Sequence, residues 1–120
     1  MKVLVTSLLL FAIVIAAVTI NATYVHKTID IARKLAEVAY KNSASEEALN
    51  ELSEHWDSTV KLLSLSVNLR EIDTATENLL VFLSACRDGY EYGIEQSYTL
   101  FIDSLDDIVK YEKFEMANIL

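Results

Sequence analysis

The sequence predicts an all-α protein, with an N-terminal transmembrane helix followed by an antiparallel bundle of three to four helices. Residues 3–20 form an uninterrupted apolar run without charge. The whole chain contains no proline and only two glycines, which is typical of long helices with few tight turns. After the run, apolar residues recur at helical spacing. We therefore divide the chain into a transmembrane signal anchor, residues 1–25, and an acidic helical-bundle domain, residues 26–120.

The apolar run is long enough to cross a bilayer. About 18 uncharged apolar residues suffice for a hydrocarbon core of about 30 Å, and only a helix satisfies its own backbone hydrogen bonds there. Twelve large apolar side chains in the run favour insertion by roughly 4–7 kcal/mol. Val25 can extend the run across four weakly polar residues, so we expect contact with the lipid bilayer through residues 3–25.

The run fits an anchor better than a cleaved signal peptide. Lys2 supplies the basic start that both require, but the apolar core exceeds the 7–15 residues of a signal peptide. Cleavage after Ala22 would place Ile20 at the third position back, where a small residue is preferred. Retention of the segment is the favoured interpretation, and cleavage is the alternative.

Charge is distributed unevenly along the chain. Up to Ser45 there are five basic and two acidic residues, whereas from Glu46 onward there are five basic and sixteen acidic residues. Nucleic-acid binding is not expected from the acidic part, because such binding needs clustered Lys and Arg. Lys27, Arg33 and Lys34 either contact anionic head groups or form an ordinary solvated helix face.

Two signals in the sequence predict opposite orientations in the membrane. Four basic residues in 26–45, against Lys2 and the amino terminus, favour a cytoplasmic bundle on the positive-inside count. The short basic tail before the run is instead typical of a signal anchor whose tail stays inside. We predict a single-pass protein of the cell membrane with an extracytoplasmic bundle.

The segment after the run continues as a helix to Lys41, and Asn42–Ser45 interrupts it. Ser43 followed by Glu46 has the form of a capping box, which predicts the start of a second helix. Arg87-Asp88-Gly89 is typical of a helix end, and a last helix is predicted to about Met116. The apolar faces that we expect in the core are Ile29, Ala32, Leu35, Ala36, Ala39; Leu49, Leu52, Trp56, Val60, Leu63; Ile72, Ala75, Leu79, Phe82, Cys86; and Ile94, Tyr98, Phe101, Leu105, Ile108, Tyr111.

Residues 46–86 are either one helix or two. Unbroken, they would extend about 60 Å, so that a reversal at Ser43 would drive the helix into the bilayer. Either the chain bends at Asn42–Ser45 without reversing, or the long helix breaks. Leu63 to Leu69 alternates like a strand, but the chain offers no second alternating stretch to pair with it. A helix is favoured here, with a bend possible near Ser66–Asn68.

The sequence contains only weak candidates for a metal-binding or catalytic motif. Glu51 and His55 lie four residues apart, a spacing that can hold a metal, but a di-iron bundle needs two such motifs and further glutamates. Asp103, Asp106 and Asp107 lack the spacing of an EF-hand loop. We expect neither enzymatic activity nor a cofactor or metal, and we expect His55 to be a half-buried neighbour of Trp56. The single cysteine, Cys86, is expected to be a buried thiol.

Trp56, the stretch Asn68-Leu69-Arg70-Glu71-Ile72-Asp73 and the terminal helix from Glu112 to Asn118-Ile119-Leu120 resemble a known family. It comprises small proteins of clostridia and related Gram-positive bacteria with an N-terminal apolar segment and a domain of unknown function. The resemblance covers most of the chain and implies an anchored helical architecture without implying an activity. The family pattern has a histidine where Asn68 stands, which puts any role of that histidine in doubt here.

The leading functional hypothesis is a non-enzymatic protein-interaction module of the cell envelope. The alternative is a sensor-like module that binds a small ligand between its helices, lined by Tyr98, Phe101 and Tyr111. We expect the apolar carboxyl end to dock on an apolar groove of the bundle or on a partner. The candidate partner or core contacts are Trp56, Asn68, Asn118, Ile119 and Leu120.

Overall fold

A computed structural model describes residues 1–43, 45–64 and 69–119, with the side chains at 115, 116, 118 and 119 left out. This part of the chain forms four α-helices, which confirms the all-α class. They are α1 (Lys2–Lys41), α2 (Glu46–Leu63), α3 (Leu69–Asp88) and α4 (Glu91–Ile119).

The helices form an antiparallel four-helix bundle from which the first half of α1 projects. Helix α1 packs against α2 and α4, and α3 packs against the same two helices, so α1 and α3 lie at opposite corners. Burial on α1 begins at Ala22 and ends at Ala39. The molecule measures 67 × 22 × 18 Å, because the 40-residue α1 is about 60 Å long. The end of the bundle from which α1 projects is called the base below, and the opposite end the distal end.

The core is built from the helix faces that the sequence predicted. Trp56, Phe82 and Phe101 are the largest fully buried side chains. The Trp56 indole N–H donates to Thr76 Oγ1 at 2.9 Å, and its ring meets Phe101 edge-on at 5.6 Å. Trp56 therefore joins α2 to both α3 and α4. The buried core residues are Val25, Ile29, Ala32, Ala36, Ala39, Leu49, Leu52, Trp56, Leu63, Ile72, Ala75, Leu79, Phe82, Leu83, Cys86, Ile94, Phe101, Leu105 and Ile108.

The N-cap of α2 differs from the predicted one. Ser45, rather than Ser43, caps α2, and its hydroxyl oxygen accepts a hydrogen bond from the Ala48 N–H at 3.3 Å. Helix α1 continues to Lys41, and both the backbone and side-chain N–H groups of Asn42 donate to the Val38 carbonyl. Ser43 is therefore part of the turn, and the chain needs two more residues to reverse before α2 can begin.

The long stretch 46–86 is two helices. The chain reverses after α1, and α2 ends at Leu63, so the second of the two alternatives holds. The 18 residues of α2 are about 27 Å long, which returns the chain to the base without entering the exposed part of α1. Leu63 and Leu69 are both helical. The predicted bend at 66–68 and the middle of the alternating stretch lie outside the described residues.

The predicted end of α3 is confirmed. Gly89 has φ +71°, a left-handed conformation that favours glycine. The Gly89 N–H donates to the Cys86 carbonyl and the Tyr90 N–H to the Ala85 carbonyl, which is the Schellman pattern. Helix α4 then continues to Ile119, beyond the predicted end near Met116. The docking of the Asn118 and Ile119 side chains and of Leu120 concerns atoms outside the described part and stays a prediction.

Because Trp56 links three helices, we expect Trp56→Ala to destabilise the bundle by about 3–5 kcal/mol. The control Trp56→Phe keeps an aromatic ring against Phe101 and loses the hydrogen bond to Thr76, so its cost should be about 1–2 kcal/mol. Thermal unfolding of the full chain in detergent micelles, followed by circular dichroism, measures both. Equal melting temperatures for Trp56→Ala and the unaltered protein would contradict the central position of this residue.

Candidate functional site

The first half of α1 exposes a continuous apolar surface. Every residue from Met1 to Val14 is exposed, and the large apolar side chains of residues 3–14 range from 50% exposed at Val14 to 80% at Val3. Among the described residues one helix, α1, is long and apolar enough to span a membrane, with a mean hydropathy of 2.9 in its most apolar window. A signal sequence near the amino terminus has the same properties.

Contacts between α1 and α4 fix the level of α4 relative to this apolar segment. The Tyr40 ring stacks on the Tyr98 ring with centroids 4.3 Å apart, and Arg33 forms an ion pair with Asp106. The two helices are antiparallel, so a step of eight residues toward the base leads from Asp106 to Phe114 on α4 and from Arg33 to Val25 on α1. Phe114 is therefore level with Val25. The last turns of α4 therefore lie where α1 leaves the bundle.

The base of the bundle is apolar on its outside. His55 on α2 contacts the Thr28 carbonyl on α1. Seven residues nearer the base on each helix, Leu62 lies beside Asn21. The two residues line a shallow hollow with Ala17, Ile20 and Tyr24. Large exposed apolar side chains come from all four helices: Tyr24, Leu62, Leu69 and Phe114. These residues continue the apolar surface of residues 3–20 onto the bundle.

The basic residues near the base are mostly engaged elsewhere or distant. Arg33 bonds to Asp30 at 2.9 Å and to Asp106. Lys34 lies fourteen residues beyond Ile20, about 21 Å along the helix, whereas screening limits surface attraction to about 8–10 Å at physiological salt. Lys27, about 10 Å from Ile20, is the residue of the three that remains within reach. The solvated-face interpretation therefore fits Arg33 and Lys34 better than head-group contact does.

A second apolar surface lies between α3 and α4 toward the distal end. This α3–α4 groove has a volume of about 540 Å³ and is open to solvent. Leu80, Val81, Tyr90 and Leu100 form its walls and are 47–62% exposed. Gly93 allows the Tyr90 ring to lie across the first turn of α4, since a Cβ there would be 2.6 Å from the Tyr90 Cδ1.

The groove has acidic surroundings. Glu77 lies one turn from Val81 on α3, and Asp103 lies one turn from Leu100 on α4; both carboxylates are exposed. Asp88 also lines the groove. The nearby Arg87 pairs with Glu46 at 3.6 Å. An apolar partner that carries positive charge fits this surface best.

The aromatic residues considered for a ligand site pack on other side chains. Tyr98 is half-buried between Tyr40 and Phe82, with ring centroids at 4.3 and 5.9 Å. Burial, and secondarily the Glu37 carboxylate, raise the pKa of Tyr98. Phe101 is fully buried, and the half-buried Tyr111 packs against the core. These contacts make the three residues part of the packed interior.

His55 acts as a structural donor. It is half-buried next to Trp56, as predicted, and its Nε2 lies 3.1 Å from the Thr28 carbonyl. Because a carbonyl only accepts, Nε2 carries the proton and donates, and Thr59 Oγ1 at 3.4 Å is a weaker second contact. Among the described residues, no group of three His, Cys, Asp or Glu side chains could hold a metal ion.

The thiol of Cys86 is free and buried, as predicted. Burial raises its pKa, and the nearby Arg87 opposes this effect only in part. The thiolate, which is the reactive form, is therefore disfavoured at neutral pH.

The sequence-predicted contact residues fall into two groups. Trp56 is in the core, whereas Asn68, Leu120 and the side chains of Asn118 and Ile119 lie outside the described part. Sequence reasoning missed the α3–α4 groove. A signal for it exists, because residues 79–83 are five consecutive apolar residues, more than one face of a helix can bury.

Comparisons of the chain with protein-family models, with curated proteins and with solved structures found no match. The resemblance to the clostridial family therefore stays a prediction.

Proposed function

We propose that the protein is a single-pass membrane protein whose extracytoplasmic helical bundle is a non-enzymatic protein-interaction module. The exposed apolar surface of residues 3–20 is the observation that carries this proposal. Leaving a large apolar side chain in water rather than burying it costs roughly 1.5–3 kcal/mol, and ten such side chains of this segment are exposed. A bilayer removes this cost.

The geometry of α1 supports insertion to a defined depth. Nineteen residues from Lys2 to Ile20 project below the bundle, about 28 Å of helix, which matches a hydrocarbon core of about 30 Å. Tyr24 then lies at the level of the head groups, where aromatic residues are favoured. The exposed Leu62, Leu69 and Phe114 would meet the same interface, so the bundle rests directly on the membrane.

The α3–α4 groove supports protein binding over ligand sensing. Small-molecule sites usually bury most of the ligand, whereas this groove is open to solvent. Two of the aromatics that would line a sensor site, Tyr98 and Phe101, pack instead on Tyr40 and Trp56. An open apolar groove with an acidic margin suits the apolar face of a basic helix.

We expect the full-length protein to stay in the membrane pellet after alkaline carbonate extraction, with the unprocessed mass of 13.5 kDa. The matched control carries Leu9→Lys and Ile13→Lys. Each lysine at the centre of the span costs about 2.5–3.5 kcal/mol, enough to offset insertion, so this variant should move to the supernatant. Recovery of a shorter form beginning near Thr23 would contradict anchoring and support a cleaved signal peptide.

We expect a benzophenone photo-crosslinker placed at Leu100 to form a protein adduct in intact membranes, because this side chain lines the groove. The control places the same group at Asp107, which is exposed on the same helix two turns nearer the base. Immunoblotting of irradiated membranes measures the yield at each position. Equal yields at the two positions, or no adduct at Leu100, would contradict the role of the groove.

A further inference from the structure

The outer face of α1 carries a regular stripe that is exposed along its length. The α1 stripe consists of residues spaced alternately by three and four, so they form one line along the helix. Apolar residues and lysines alternate in it, and all are exposed. Its apolar members are 38–49% exposed. The stripe comprises Tyr24, Lys27, Ile31, Lys34, Val38 and Lys41.

A shared membrane restricts how two copies can meet. If every copy is anchored through α1, all copies have parallel axes and the same height, so a lateral contact joins residues at equal levels. Tyr40 stacks on Tyr98, and two residues nearer the base Val38 is level with Leu100. Asn78 donates to the Leu100 carbonyl at 3.3 Å, which brings Leu80 to the same level on α3. The apolar centre of the groove and Val38 therefore share one height.

The charges beside these apolar residues are complementary at a second height. One turn nearer the base from Val38 lies Lys34. One turn nearer the base from the groove walls lie Glu77 on α3 and Asp103 on α4. All three charged side chains are exposed. Docking Val38 into the groove of a neighbour would thus bring Lys34 between two carboxylates.

Symmetric pairing of two copies is disfavoured by like charges. Two α1 stripes facing each other about a two-fold axis would oppose Lys27 and Lys34 to themselves, whereas Lys41 is paired with Glu37 of its own helix. Two grooves facing each other would oppose Glu77 and Asp103 to themselves. Stripe against groove is the remaining arrangement that pairs opposite charges. Because α1 and α3 lie at opposite corners of the bundle, one copy can use both surfaces at once.

We infer that the α1 stripe of one copy docks in the α3–α4 groove of a neighbouring copy in the same membrane. This inference rests on the proposed anchoring and on the groove as the partner surface, and it names the partner as a second copy. A contact between two different surfaces does not close in a pair, so the copies form rings or rows.

Cysteine crosslinking in membranes tests the contact directly. Two differently tagged full-length chains, both carrying Cys86→Ala, are co-expressed, one with Val38→Cys and the other with Leu100→Cys. We expect oxidation to yield a disulfide dimer containing both tags, because a disulfide needs Cβ atoms about 3.5–4.5 Å apart. The matched control replaces Val38→Cys with Ile31→Cys, on the same stripe but about 10 Å nearer the membrane, and should give no such dimer.

Charge reversal tests the pairing. Adding Lys34→Glu to the Val38→Cys chain should lower the dimer yield by about tenfold, since attraction to two carboxylates becomes repulsion. Adding Glu77→Lys and Asp103→Lys to the Leu100→Cys chain should then restore the yield. A yield that does not respond to either change would overturn the charge pairing and with it the inference.

Other outcomes separate this inference from the proposed function. A dimer joined through two Val38→Cys chains, or no dimer between positions 38 and 100, overturns the second copy as the occupant. If the photo-crosslinker at Leu100 still captures a different protein, the proposed function stands without this inference. If it captures nothing, both are overturned.

Discussion

The structure depends on the use of one continuous helix, α1, as both the exposed apolar segment and a member of the bundle. Nothing in α1 interrupts the helix between residues 2 and 41. The level at which the bundle begins is therefore fixed by where α1 first buries its side chains, at Ala22. The other helices must end or begin at that level. Trp56 on α2 donates a hydrogen bond to Thr76 on α3, so these two residues are level. Seven residues nearer the base on each helix, α2 ends at Leu63 and α3 begins at Leu69.

Small and large side chains in the core come from different helices. Along the bundle half of α1 the buried residues are mainly alanines (Ala22, Ala32, Ala36 and Ala39), which allow α2 and α4 to approach closely. The bulk comes from the facing helices, through Trp56, Phe82 and Phe101. Directional bonds then fix the register. His55 donates to the Thr28 carbonyl, and Asn78 donates to Ser104 Oγ. Among the described side chains, no buried polar atom lacks a hydrogen-bond partner.

Periodicity was sufficient to predict the helical class and the buried faces, because apolar side chains at helical spacing must share one face. The end of α3 was predictable from its glycine, because only glycine readily adopts the left-handed conformation found at position 89. The cap at Ser45 was not predictable by the same rule. Both Ser43 and Ser45 are good cap residues, and the tight reversal after Lys41 decides between them.

The relative heights of the helices along the bundle could not be predicted from sequence, since they are set by contacts between distant residues, such as Tyr40 with Tyr98. For the same reason the apolar residues 79–83 indicate a surplus of apolar side chains on α3 but not the groove that they form with α4. Leu80 and Val81 look like extra core residues until the position of α4 shows that they lie outside. Membrane orientation depends on the insertion process, and the two charge signals in the chain oppose each other.

The most direct test of the account is the depth of the bundle base in a bilayer. Nitroxide labels at Leu62, Leu69 and Phe114 of the full-length protein in lipid vesicles, each in the Cys86→Ala background, can be compared with labels at the exposed distal residues Asn50 and Tyr92. Collisions with lipid-soluble oxygen and with a water-soluble nickel complex report the depth of each label. The account predicts that the three basal labels lie in the head-group region and both distal labels in water. Basal labels as accessible to water as the distal ones would contradict the claim that α1 seats the bundle on the membrane.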